Sequence, residues 1–119
     1  MDERKKSILT TAGIDVDSAM ERFMGSEALF ARLMKKFLED ANFDKLTDAL
    51  TSGDMDAALH ASHSLKGVCG NLSMTLLFDL LSRQVLAFRD GDTQAALSLM
   101  PEITRIRGQI IQAIREVFE

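Results

Sequence analysis

The sequence predicts an all-α protein: an up-and-down antiparallel four-helix bundle with a short accessory helix near its N-terminus. Three observations carry that expectation. Apolar residues recur at steps of three and four, and no segment shows the strict alternation of a half-buried strand. Glycine-centred punctuation falls at Gly25-Ser26, Ser52-Gly53-Asp54, Gly70-Asn71 and Asp90-Gly91-Asp92, which leaves helix-length segments between. The chain has 119 residues, 46% of them apolar, enough for one domain with a core of ordinary size. Short connections between long amphipathic helices make neighbours antiparallel.

Each element follows from its own signals. Residues 1–12 form a lead whose weak apolar signal is the pair Ile8 and Leu9, so a short helix or a frayed segment is expected there. The bundle domain occupies residues 13–119. Asp15 to Met24 reads as the accessory helix: Val16, Ala19, Met20 and Phe23 share a face, acids occupy the first turn, and Gly25 can supply a left-handed C-terminal cap. Ser26 is placed to cap the next helix, which is expected to run to about Leu50 on a broad stripe including Phe30, Met34, Phe37, Leu46 and Ala49. Asp54 caps a third long helix with Met55, Ala58, Leu59, Leu65 and Cys69 on one side. Ser73 is the expected cap of the fourth, whose inward positions are Met74, Leu77, Leu81, Val85 and Phe88, and which ends at Asp90-Gly91. The last segment carries Ala96, Leu99, Ile103, Ile106, Ile110, Ala113 and Val117, the seam of a helix packed at a shallow angle. Pro101 interrupts it; an interior proline costs about 3 kcal/mol, so a kink is expected, or a break with Pro101 in the first turn of a new helix.

Composition excludes several functions. Fourteen Lys and Arg against eighteen Asp and Glu give a net charge of −4, which argues against a reader of nucleic-acid backbones and against binding to an anionic membrane. The single cysteine, Cys69, has no internal partner for a disulfide. No apolar run reaches the roughly 18 residues of a spanning helix, and the charged start Met1-Asp2-Glu3-Arg4-Lys5-Lys6 lacks the apolar stretch of a signal peptide. A reducing, cytoplasmic setting is expected.

The segment Ala61-Ser62-His63-Ser64-Leu65-Lys66-Gly67 holds the chemistry. On one helix, Lys66 at i+3 and Gly67 at i+4 lie close to His63. With about 100° of rotation per residue, His63 stands roughly 110° from the centre of the apolar stripe and should be at least partly exposed. Gly67 and Gly70 follow on that exposed side and leave little relief around the imidazole. Each glycine costs about 1 kcal/mol relative to alanine, a penalty that makes sense if a second protein must come close to the backbone. Lys66, at the boundary with the core, can swing its ammonium toward a dianion on the imidazole. Free imidazole, with a pKa of about 6.5, is largely neutral and nucleophilic at cytoplasmic pH, and a phosphoramidate formed on it is reactive enough to pass the group onward. Such a transfer needs in-line approach and charge neutralisation. The sequence offers a nucleophile and a cation but no acid cluster for magnesium, no glycine-rich phosphate loop and no nucleotide pocket, so a partner must bring the rest.

Each of these residues also has a plainer reading. A lone surface histidine on a bundle helix is ordinarily solvated face, and here it is the flanking residues that set His63 apart. His60 reads as surface, Cys69 as a small core residue, the methionines and phenylalanines as core filling, and Glu39-Asp40 and Asp15-Asp17 as solvated turns. Asp56, His60 and His63 share a spacing that can line one helix face. A metal site nevertheless fails on ligand count, because no histidine exists on any other helix and no metal is expected.

The run Ala61-Ser62-His63-Ser64-Leu65-Lys66-Gly67-Val68-Cys69-Gly70-Asn71-Leu72 closely resembles the core motif of histidine-containing phosphotransfer (HPt) domains. Gly13 to Phe23 looks like the family's lead-in, Leu29 to Leu38 like its long helix, and Ser52-Gly53-Asp54 like the turn before the histidine helix. The resemblance covers about residues 13 to 117 in outline, with only the segment around His63 highly specific. It implies that His63 is the phosphoacceptor, Lys66 the phosphate-facing cation, and Gly67 the gap that admits a receiver domain. One departure concerns the residue that orients the ring. Many members carry Gln or Glu 22 residues after the histidine, and here that place is Val85, just after Arg83 and Gln84. Gln84 takes the orienting role if the turn after Gly70 is one residue shorter than usual; otherwise the ring is held some other way. Ser73 stands where glycine or alanine is common, with little effect expected.

The resemblance implies a phosphohistidine carrier, with phosphoryl groups arriving from and leaving to aspartates on response-regulator receiver domains. A hybrid histidine kinase is a further implied partner. No intrinsic cofactor is expected, and magnesium would arrive with the receiver's own acidic site. The protein would be a phosphotransfer intermediate without autonomous kinase activity, and Met1 with a complete bundle favours a free-standing protein. The competing class is a helical interaction module that docks on a signalling partner without phosphochemistry.

Overall fold

The computed structural model describes all of residues 1–119, and the chain is all-α. Eight helices follow one another: α1 (Glu3–Thr11), α2 (Val16–Arg22), α3 (Glu27–Phe37), α4 (Asn42–Ser52), α5 (Met55–Asn71), α6 (Thr75–Arg89), α7 (Thr93–Ser98) and α8 (Met100–Phe118). The lead is therefore helical, with Asp2 accepting a hydrogen bond from the Lys5 amide as its cap and Leu9 fully buried. Ser26 and Asp54 cap α3 and α5 through side-chain oxygens, as their positions predict, while Asp15, expected as the first residue of its helix, instead caps α2. Pro101 lies in the first turn of α8, so the break after α7 is the outcome at that proline.

Two expectations are corrected. The helix expected from Ser26 to Leu50 is two helices, divided at Leu38–Ala41. In an unbroken helix the six residues from Phe37 to Phe43 would rotate the apolar stripe by roughly 240°, so both could not face one core. The Asp40 carboxylate secures the turn, accepting from the Asn42 amide at 2.9 Å and from its side-chain nitrogen at 3.2 Å. Ser73 is not the cap of α6. Met74 holds that position without a side-chain bond, while Ser73 adopts a left-handed φ of 55° and its Oγ lies 3.1 Å from that of Ser18.

The core is divided to match. A main cluster of 21 buried residues includes Leu9, Ile14, Phe30, Met34, Leu65, Leu77, Leu81, Ile103, Ile110 and Ile114. A smaller one, Leu46, Ala49, Ala58 and Ala61, lies between α4 and α5. Thus α5 is flanked by α4 and α6, α6 also packs on α7 and α8, and α1 and α3 pack on α8. Between α1 and α2 the chain clamps onto the turn between α5 and α6. The Asp15 amide donates to the Ser73 carbonyl at 2.8 Å, and the Leu76 amide to the Gly13 carbonyl at 3.4 Å. Gly13 has φ +96°, and a Cβ there would fall 2.6 Å from the Leu76 side chain, so both backbone and space require glycine.

Candidate functional site

The site is built on α5, whose start is fixed by Gly53 in the left-handed conformation at the end of α4 (φ 78°) and by Asp54, whose Oδ1 accepts from the Ala57 amide at 3.0 Å. Ala58, Ala61, Ser62, Leu65 and Cys69 face inward. His63, Ser64 and Gly67 face solvent, and Lys66 is half-buried at the boundary. This is the arrangement that the helical spacing predicts for His63, Lys66 and Gly67.

Immediately behind the histidine lies a buried polar link. Ser62 Oγ donates to Gln84 Oε1 at 2.8 Å, and Gln84 Nε2 donates to the Ala96 carbonyl at 3.0 Å and to Met100 Sδ at 3.1 Å. The amide thereby ties α5 to α6 and to both sides of the break between α7 and α8. A buried amide left without partners is costly, so this link fixes the rotation of α5 and with it the direction in which His63 projects. The expectation that Gln84 could orient the imidazole is therefore corrected: its side chain is fully buried and its hydrogen bonds are committed to Ser62, Ala96 and Met100. Val85, at the neighbouring position, is also buried and has no polar group to offer.

The two glycines beyond His63 differ. A Cβ on Gly67 would meet nothing within 4 Å, so the surface there is open. A Cβ on Gly70 would lie 3.1 Å from Phe78 Cε2, so that glycine serves packing between α5 and α6 rather than open approach. Lys66 Nζ lies 5.6 Å from the centroid of the same Phe78 ring. Cys69 is buried; loss of water, with a smaller contribution from the Asp40 charge, pushes its thiol up to about 12, which removes it as a nucleophile near neutral pH. His60 is exposed and lines, with Ser64, Lys45 and Asp48, a groove of about 750 Å³ between α4 and α5.

An exposed imidazole on a helix pinned from behind, beside an open glycine and a lysine, suits a group handed over by another protein. A model of the Hpt domain matches residues 32–117, from within α3 to the end of α8. The chain belongs to the Hpt domain family. No curated protein and no solved structure matches it significantly. Membership gives this Hpt domain a phosphohistidine carrier role in phosphorelay signalling, with receiver and kinase proteins as its class of partner. No helix of this Hpt domain is long and apolar enough to cross a membrane.

The pairing of Ser62 with Gln84 is not evident from the sequence, which offers Gln84 only as a partner for the imidazole. Ser62 and Gln84 are polar residues at inward-facing helical positions, and that misplacement was the available signal for a buried pair. Phe78 lies one position from the inward residue Leu77, and only the contact with Gly70 reveals which way its ring turns.

Proposed function

We propose that His63 is the phosphoacceptor of this Hpt domain, taking a phosphoryl group from a receiver aspartate and passing it to an aspartate on another receiver. In the accepting step, a lone pair on an imidazole nitrogen forms the N–P bond as the P–O bond to the aspartyl phosphate breaks and the carboxylate leaves. The reverse reaction on a second receiver regenerates the imidazole. Lys66 offsets charge on the transferring group, and Gly67 leaves room for the receiver. Magnesium belongs, on this reading, to the receiver's acidic site. The observation that carries the proposal is the exposure of His63 beside the open surface at Gly67, on a helix whose adjacent residue Ser62 is buried and anchored to Gln84.

The test is to mix the protein with a phosphorylated receiver and follow the label. Transfer should give a label on the Hpt domain that is stable in alkali, labile in acid and absent from His63→Gln. Gly67→Gln should keep the fold and slow transfer by obstructing approach. If wild type takes no such label from any receiver of its host, the alternative stands, a helical module that docks without phosphochemistry.

A further inference from the structure

Phe78 projects from α6 onto α5 at Gly70, two turns beyond His63. Seven residues at about 100° each bring Gly70 to within roughly 20° of the bearing of His63, so the ring lies below the imidazole on the same side of the helix. It occupies the space that a Gly70 side chain would need, with ring carbons 3.1 and 3.3 Å from the position of a Cβ. Above it, Lys66 Nζ lies 5.6 Å from the ring centroid, inside the roughly 6 Å range over which an aromatic face attracts a cation. Lys66 is in none of the four ion pairs of the structure.

This combination has a chemical consequence. A carboxylate partner would order the lysine but would also neutralise it and take up its donors. An aromatic face orders the ammonium and leaves its charge and its N–H donors available to phosphate oxygens. Lysine loses more rotamer freedom than most residues when fixed, so an already confined side chain has less to lose on meeting its ligand.

We propose that Phe78 is a positioning residue for phosphoryl transfer: its ring, seated on Gly70, confines the Lys66 ammonium on the histidine side of α5 before the phosphoryl group arrives. The role rests on the reading of His63 as phosphoacceptor. It requires nothing of the receiver beyond its phosphoryl group.

Single-turnover transfer from a phosphorylated receiver tests it, in variants shown to be folded by circular dichroism. Phe78→Leu should slow transfer by roughly two- to fivefold, the rate equivalent of one such contact, and Phe78→Tyr should restore it. In a Lys66→Ala background, Phe78→Leu should have no further effect. Gly70→Ala, which keeps the ring but displaces it, should reproduce the slowing of Phe78→Leu. Independently of transfer, the ε-methylene protons of Lys66 should be shifted upfield by the ring in wild type and in Phe78→Tyr, and return in Phe78→Leu. The proposal is overturned if Phe78→Leu transfers at the wild-type rate, if it slows the Lys66→Ala protein equally, or if the lysine protons show no ring shift. A wild type that takes no label overturns the His63 reading and this role with it; a wild type that labels normally while Phe78→Leu is unaffected overturns this role alone.

Discussion

Cys69 shows what position does to a reactive side chain. Its neighbours on α5 include the solvent-facing His63 six residues away, yet burial holds the thiol protonated, up to about 12. At pH 8 the native protein should resist a thiol-specific reagent and react fully only after unfolding; labelling of native protein at the rate of a free thiol would contradict the burial. The same shift sets a pH dependence. Below the ordinary thiol value of 9.0 both folded and unfolded chains keep the proton, and the stability contribution is whole. Between 9.0 and about 12 the unfolded chain gives it up while the fold retains it, so denaturant midpoints should fall across that window, and less in Cys69→Ala. Ser62 and Gln84 make a second residue-scale case. Gln84→Leu strands the Ser62 hydroxyl and should cost about 1–3 kcal/mol, whereas adding Ser62→Ala should recover part of that loss. Urea melts of the two single variants and the double variant measure the coupling, and strict additivity would show that the bond contributes nothing. The sequence made the exposure of His63 legible because rotation about a helix is arithmetic. The partner of Gln84 was not legible, because it depends on how α6 is turned against α7 and α8.

At the scale of elements, local chemistry was the best guide. Asp15, Ser26 and Asp54 cap the helices that follow them, and Pro101 opens α8, since each acts through bonds or clashes within a turn of itself. The failures came where a distant contact decides. Ser73 has the chemistry of a cap, but the clamp from Asp15 and the meeting with Ser18 hold it in a left-handed conformation outside α6. The stripe from Leu29 to Ala49 looked continuous in composition, while its phase changes between Phe37 and Phe43, which both face the main core, and beyond Phe43 α4 pairs with α5 through Leu46 and Ala49. Because α5 carries the site, its cap can be tested directly. Asp54→Ala removes the bond to the Ala57 amide and should lower stability by about 1 kcal/mol, with a smaller midpoint in chemical denaturation and little change at His63, more than two turns away.

The whole molecule measures 44 × 23 × 20 Å, and α1 and α2 precede the span matched by the family in sequence. Leu9 is fully buried in the same cluster as Leu65 and Ile110, so α1 contributes to the core that supports the histidine helix. Leu9→Ala should cost about 2–5 kcal/mol, the ordinary range for an apolar truncation in a packed interior, and a thermal melt unchanged from wild type would show that α1 is dispensable. Bundle class and helix order were legible from periodicity; the attachment of the lead was not, since Ile8 and Leu9 alone do not say which surface they meet.

The clamp between residues 13–15 and the turn at 73–76 joins the N-terminal helices to the α5–α6 hairpin through backbone bonds in both directions. Each side donates one amide to the other, so a separation of the two segments frees both. Deuterium uptake at Asp15 and at Leu76 should therefore follow one opening rate, although sixty residues separate them, and a fluctuation that begins at the N-terminus would be felt at the end of the helix that presents His63.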